Sequence, residues 1–223
     1  VGTDPGSTQV SVQNASNEND NVLNVTADGA NGARLGTLLV NEVENFAIDV
    51  EDQSQNLTLD AGSAEEIKIE GGSLDLTTLN TSALTSVDGS AMDGSLIYTT
   101  TQANVQVLGG AGDDRLTANT NEVELSGGGG SDTLLAAADA EDVDLEGGVG
   151  KDFFDFSLGS QLSVQNAATI QDFGPGETII LPVSTYDADE VNGVAGGSTG
   201  DFADAAVNNL GTGEAKWFRN DGN

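Results

Sequence analysis

Gly109-Gly110-Ala111-Gly112-Asp113-Asp114-Arg115-Leu116-Thr117 recurs as Gly127-Gly128-Gly129-Gly130-Ser131-Asp132-Thr133-Leu134-Leu135 and again as Gly147-Gly148-Val149-Gly150-Lys151-Asp152-Phe153-Phe154-Asp155. All three stretches read G-G-x-G-x-D-x-U-x, where U is a large apolar residue, and their starts lie 18 and 20 residues apart. A short alternating segment precedes each one: Val105-Gln106-Val107, Val123-Glu124-Leu125 and Val143-Asp144-Leu145. Self-similarity at this period marks stacked units that bury their apolar faces only against one another. The spacing therefore predicts a parallel β-solenoid (β-helix), one rung per repeat, with small aliphatic side chains filling a narrow interior. Further short alternations, Val22–Val25, Asn56–Asp60, Glu66–Glu70 and Leu74–Leu76, end near Gly, Asn, Asp or Ser, the punctuation of strands and turns. No stretch carries a sustained helical stripe with caps, so the fold class is all-β.

Glycine and aspartate in this pattern suit a hard divalent cation. Calcium takes about six to eight oxygens, which a tight loop supplies only when several carbonyls point at one place. Glycine has no Cβ and accepts positive φ and close backbone approach, so the first, second and fourth positions can turn their carbonyls inward. Asp114, Asp132 and Asp152 at the sixth position add a charged ligand, and the apolar eighth residue starts the next strand. Where rungs stack, one ion bridges two loops. The loops of Asp114 and Asp132 are expected to form one such sandwich, and those of Asp132 and Asp152 a second. The candidate metal ligands are Gly109, Ala111, Gly112, Asp114, Gly127, Gly129, Gly130, Asp132, Gly147, Val149, Gly150 and Asp152, and the expected cofactor is Ca2+. Backbone entropy and carboxylate repulsion oppose ordering these loops without metal, so folding and calcium binding are expected to be coupled.

Composition narrows the chemistry in the same direction. The 223 residues include 37 acidic and 6 basic side chains, a formal charge of −31, with no His and no Cys. Mechanisms that need an imidazole base, a Ser-His-Asp relay, a His-ligated zinc, a thiolate or a disulfide are closed to this chain by itself. Such an acidic surface repels phosphate backbones, so no nucleic-acid partner is expected. No apolar span of 18 residues or more is present, and no transmembrane segment is expected. Short regular alternations of Val, Leu, Ile and Ala set the chain apart from acidic disordered sequences. It begins at Val1 without Met and ends at Asn223 in a polar run, and it reads as a piece of a longer protein.

The three nonapeptides resemble those of the repeats-in-toxin (RTX) family, whose calcium-binding β-roll carries this motif. The resemblance implies a calcium β-roll, secretion by a type I system through an uncleaved C-terminal signal, and function outside the cell. One departure is informative. RTX rolls usually run nonapeptides back to back, giving ion rows on both sides, whereas the half-rungs between these repeats, such as Ala136 to Glu146, lack the motif. One row of ions is expected. Upstream, Leu74–Leu79, Leu84–Met92 and Gly94–Tyr98, with Val43–Phe46 before them, resemble the Leu/Thr/Ser-rich solenoid that leads into RTX repeats in bacterial surface-layer (S-layer) proteins. Asp88 and Asp93 are placed to finish an outermost site one rung below Asp114, although a solvated turn is the plainer reading of each. Ile170–Ile180 resembles the segment that follows the last RTX turn, and its aromatic and aliphatic residues are expected to seal the open end. In the polar tail beyond it, Trp217 and Phe218 are expected to pack on the cap or to join a strand pair.

Other motifs carry less. Gly196-Gly197-Ser198-Thr199-Gly200 fits G-x-S-x-G but follows no apolar strand and has no His to act as base. Gly150-Lys151 ends like a P-loop, yet Leu145 and Asp152 break the pattern. Asp187 and Asp189 begin like an EF-hand, but Val191 stands at the third ligand position. Carboxylates are too abundant here for any pair to single out glycoside hydrolysis.

These features divide the chain into an N-terminal β segment (1–55), a Leu/Thr/Ser-rich β-solenoid (56–108), an RTX-type calcium β-roll (109–157) and a C-terminal capping region (158–223). The expected function is non-catalytic: a calcium-binding structural segment of a secreted bacterial cell-surface protein, self-associating or joining cell-surface components in an S-layer-like coat. Two alternatives remain open, an RTX adhesin module and the β-roll secretion module of an exported hydrolase. The long solenoid ahead of the repeats favours the coat.

Overall fold

The computed structural model describes residues 8–13, 22–28, 34–51, 55–137, 140, 142–156, 168–180 and 215–216. Among these the regular elements are strands: β1 (Thr8–Gln13), β2 (Val22–Ala27), β3 (Arg34–Leu39), β4 (Asn45–Val50), β5 (Gln55–Asp60), β6 (Glu66–Gly71), β7 (Leu74–Leu79), β8 (Ser86–Met92), β9 (Leu96–Thr100), β10 (Gln106–Leu108), β11 (Arg115–Ala118), β12 (Val123–Gly130), β13 (Thr133–Ala136), β14 (Val143–Gly150), β15 (Phe153–Asp155), β16 (Ala168–Ile170), β17 (Thr178–Ile180) and β18 (Ala215–Lys216). Even-numbered strands β2 to β16 stack in parallel as one sheet, and odd-numbered strands β3 to β17 stack as a second. Each rung gives one strand to each sheet. The molecule is a parallel β-solenoid, and its stacking continues without a change of sheet order across residues 55 and 108.

Alternation decides which side chains enter the interior. In β2, β5 and β9 every second residue is buried, and the buried positions are Leu, Val, Ala, Gln, Tyr and Thr. Parallel register then lines equivalent residues into columns. Leu23, Phe46, Ile67, Val87, Val107, Leu125, Leu145 and Ile170 form one, all buried. Leu57, Leu76, Tyr98, Leu116, Leu134 and Phe154 face it from the second sheet. Each such side chain contributes roughly 1.5–3 kcal/mol relative to exposure, so the stack of columns holds the rungs together. The phenol of Tyr98 reaches Thr78 Oγ1 at 3.1 Å, which satisfies its hydroxyl inside this column.

Left-handed residues make the corner before the first strand of successive rungs. Asn104, Glu122 and Asp142 have φ of 59°, 55° and 52°, and each directly precedes an inward valine, Val105, Val123 or Val143. Asn and Asp tolerate this region better than most residues. At both ends of the first sheet the order changes: β1 pairs antiparallel with β2, and β18 pairs antiparallel with β16. At the C-terminal end Phe173 packs on Phe154 with ring centroids 6.2 Å apart. Trp217 and Phe218 lie outside the described residues.

The glycine runs differ from simple turns. β12 and β14 continue through them, with Gly128 paired to Gly148, Gly129 to Val149 and Gly130 to Gly150. The Gly129 amide donates to the Gly110 carbonyl one rung below at 2.9 Å, so the loop is itself part of the ladder.

Candidate metal centre

The structure brings the twelve expected ligands to one corner of the solenoid, in four columns. Gly127 and Gly147 follow Gly109; Gly129 and Val149 follow Ala111; Gly130 and Gly150 follow Gly112; Asp132 and Asp152 follow Asp114. The Val149 side chain is 80% exposed, so only its backbone faces the loop below. At the second and fourth motif positions the spacing leaves no room for a side chain. A Cβ on Gly128, where φ is +98°, would stand 2.5 Å from the Gly110 carbonyl oxygen, and one on Gly130 would stand 2.5 Å from that of Gly112.

The three aspartates form a buried ladder, 2%, 0% and 0% exposed in chain order. Each Oδ1 accepts a backbone N–H from the preceding rung: Asp114 from Leu96 at 2.6 Å, Asp132 from Asp114 at 2.7 Å and Asp152 from Asp132 at 2.9 Å. The second oxygens differ. Asp114 Oδ2 accepts the Gly110 amide at 2.8 Å, whereas Asp132 Oδ2 and Asp152 Oδ2 are buried without a hydrogen-bond partner. Asp132 Oδ2 and the Gly147 carbonyl oxygen both crowd the place where a Cβ on Gly127 would stand, and Asp114 Oδ2 and the Gly127 carbonyl oxygen do the same at Gly109. Two acceptors thus lie close together in each loop; the Gly110 amide meets Asp114 Oδ2, whereas Asp132 Oδ2 has no donor.

Burial is the main cause of the ladder's altered acidity. It pushes the Asp132 carboxyl up to about 7, opposed by the Asp114 amide and reinforced by the charges of Asp114, Asp152 and Asp113. Asp114 is pushed up to about 6 by burial, against the amides of Leu96 and Gly110 and with help from Asp113. Asp152 is also raised by burial, and the charge of Asp172 adds to it. A proton on Oδ2 relieves such an acceptor pair by donating to the carbonyl, and a cation relieves it by accepting from both oxygens.

These residues fit a hard cation. The donors are carboxylates and carbonyls, oxygen throughout, as calcium requires. Orphaned buried oxygens at Asp132 and Asp152 are the unmet acceptors of this corner. As the side chains lie, no three His, Cys, Asp or Glu among the described residues form a group placed to hold a metal, so backbone carbonyls would have to provide much of any ion's shell.

Outside the twelve, the structure separates the sequence candidates. Asp88 sits within β8, and its Oδ1 accepts the amide and hydroxyl of Ser90 at 3.0 and 2.6 Å, a local exposed motif. Asp93 lies at the corner after β8, where its amide donates to the Gly71 carbonyl at 2.8 Å. Two carboxylates that motif spacing does not pick out join the ladder from the cap. Asp172 accepts the amides of Gly147 at 2.9 Å and Gly148 at 2.6 Å, and Glu177 accepts that of Gly174 at 2.5 Å. The sequence signal for them is the Gly174-Pro175-Gly176 punctuation just before Glu177, at an interval of 25 rather than 18 or 20. Gly196–Gly200, Asp187 and Asp189 lie outside the described residues. Among the described residues no helix is long and apolar enough to cross a membrane. No protein-family model, no curated protein and no solved structure matches the chain.

Proposed function

We propose that this chain is a calcium-dependent structural segment of a secreted bacterial cell-surface protein. The observation that carries the reading is the pair of buried, unpartnered oxygens, Asp132 Oδ2 and Asp152 Oδ2, in stacked glycine loops, the first of them beside the Gly147 carbonyl. Asp114, Asp132 and Asp152 with the loop carbonyls of Gly109, Ala111, Gly112, Gly127, Gly129, Gly130, Gly147, Val149 and Gly150 would hold the ions. Bound calcium supplies positive charge between rungs that otherwise repel. The protein's own residues supply the rest: glycines let the loops approach, and Leu116, Leu134 and Phe154 anchor each loop to the interior.

Location outside the cell follows from the same chemistry. Cytosolic free calcium is too low to fill sites of sensor or extracellular grade, so the loops stay loose inside and lock after export. The nonapeptides' resemblance to RTX repeats supports type I export, and the absence of His and Cys supports a non-catalytic role. Excess acidic charge keeps such a solenoid soluble and offers weaker calcium contacts between molecules, which favours lateral self-association in an S-layer-like coat.

A calcium titration followed by circular dichroism and light scattering tests this reading. Gain of β signal with calcium, followed by growth in scattering, is the expected result. Full β signal in EDTA, unchanged by calcium, would contradict it.

A further inference from the structure

We propose that the cap completes one more site for a hard divalent cation, between the third glycine loop and β16–β17, with Asp152, Asp172 and Glu177 as its carboxylates. The inference rests on the calcium reading of the loops and extends it to residues outside the nonapeptides.

Register places them. Leu145 pairs with Ile170, so two residues further along the same strands Asp172 stands where the earlier rungs have the first glycine of the motif. Contacts agree: Asp172 Oδ1 accepts the Gly147 amide and Oδ2 that of Gly148. Phe153 pairs with Thr178, so Glu177 stands one residue before it, in the column of Asp114, Asp132 and Asp152. The Thr178 amide donates to the Asp152 carbonyl at 2.8 Å, as the Phe153 amide does to Asp132. The cap is therefore a fourth loop in register, with a carboxylate at both the first and the sixth motif positions.

The independent sign of a ligand is Asp152 Oδ2. It belongs to a fully buried residue, has no hydrogen-bond partner, and lies 2.6 Å from the Cβ position of Gly147, the residue whose amide Asp172 holds. In the two rungs before it, the oxygen opposite Oδ2 is a neutral glycine carbonyl from the following loop. Here the residue of the following loop at that position is Asp172, which carries a carboxylate of its own. Glu177 is only partly buried, and its carboxylate, held by the Gly174 amide, would have to turn to reach the ion. The alternative is a plain hydrogen-bonded cap in which Asp172 does no more than hold two amides.

Native mass spectrometry of the full chain with calcium separates them. Asp172→Asn keeps one acceptor for the glycine amides, and Glu177→Gln keeps the acceptor for Gly174. Each variant is expected to carry one calcium fewer than wild type while keeping its β signal and the remaining ions. Wild-type ion counts in both variants, with ions lost in Asp132→Asn, would overturn the cap site and leave the loop sites standing. Loss of every ion or of the β signal in both single variants would also overturn it, by assigning these residues to the fold. A wild-type chain that carries no calcium overturns the loop reading and this one together.

Discussion

Leu74 and Leu96 occupy the same column as Asp114, Asp132 and Asp152. In the two rungs just upstream the residue that closes the corner is apolar and 1% or less exposed, with the buried side-chain amide of Gln55 one rung further up; in the downstream rungs it is a carboxylate, just as deeply buried. Backbone geometry is shared, and the Leu96 amide even donates to the Asp114 carboxylate at the boundary. The difference lies in what the interior gains. A buried leucine contributes roughly 1.5–3 kcal/mol. A buried carboxylate costs free energy until a proton or a cation offsets its charge. On the proposed reading, one fold contains a region stable by itself and a region whose stability depends on a proton or a cation at its aspartates.

Exchanging the two kinds of residue breaks the comparison most severely. Leu74→Asp puts an unpaired carboxylate in an apolar rung and is expected to destabilise it by about 5 kcal/mol, with loss of the calcium-independent β signal. The reverse, Asp132→Leu, is expected to raise the melting temperature in EDTA and remove most of the calcium response. If Leu74→Asp melts like wild type in EDTA, the upstream rungs do not depend on their leucines.

Acidity gives the next effect. In the chelated protein Asp114 and Asp132 titrate near 6 and 7, above the ordinary value of 3.8. Between about pH 4 and pH 7 the folded state holds more protons than the unfolded one, so metal-free stability is greatest at and below the ordinary value and falls as pH rises. The loss from Asp132 alone is on the order of 3 kcal/mol. With saturating calcium the ions replace those protons, and stability is expected to rise with pH over the same interval. Denaturant midpoints measured at both ends of the interval, with and without EDTA, check the opposite slopes. Parallel slopes would break the link between protons and calcium.

The smallest effect sharpens the upstream side. Tyr98→Phe removes the hydroxyl that meets Thr78 Oγ1 but leaves the ring in its column, and is expected to cost about 1 kcal/mol in EDTA and in calcium alike. A cost that appears only in one condition would mean that the two regions are more tightly coupled than the column pattern indicates.

Much of this was legible from period and alternation. Val22–Val25, Asn56–Asp60, Glu66–Glu70 and Leu74–Leu76 all fall within strands, because a period of two with β-branched and aliphatic residues leaves the chain few other ways to bury them. The motif aspartates and glycines reach one corner because their spacing equals the length of a rung. The equivalence of Leu96 with Asp114 was hidden, since a leucine and an aspartate share no motif and only register relates them. Asp172 and Glu177 were hidden by a 25-residue rung in place of one of 18 or 20. The antiparallel strands β1 and β18 depend on pairing at the sheet ends, which alternation does not encode.

Amide hydrogen exchange by mass spectrometry, with calcium and then with EDTA, tests the central claim most directly. Chelation is expected to strip protection from β12 to β15 while β5 to β7 stay protected. Equal protection of both regions in EDTA, or their simultaneous loss, would contradict a solenoid whose calcium dependence is confined to the aspartate rungs.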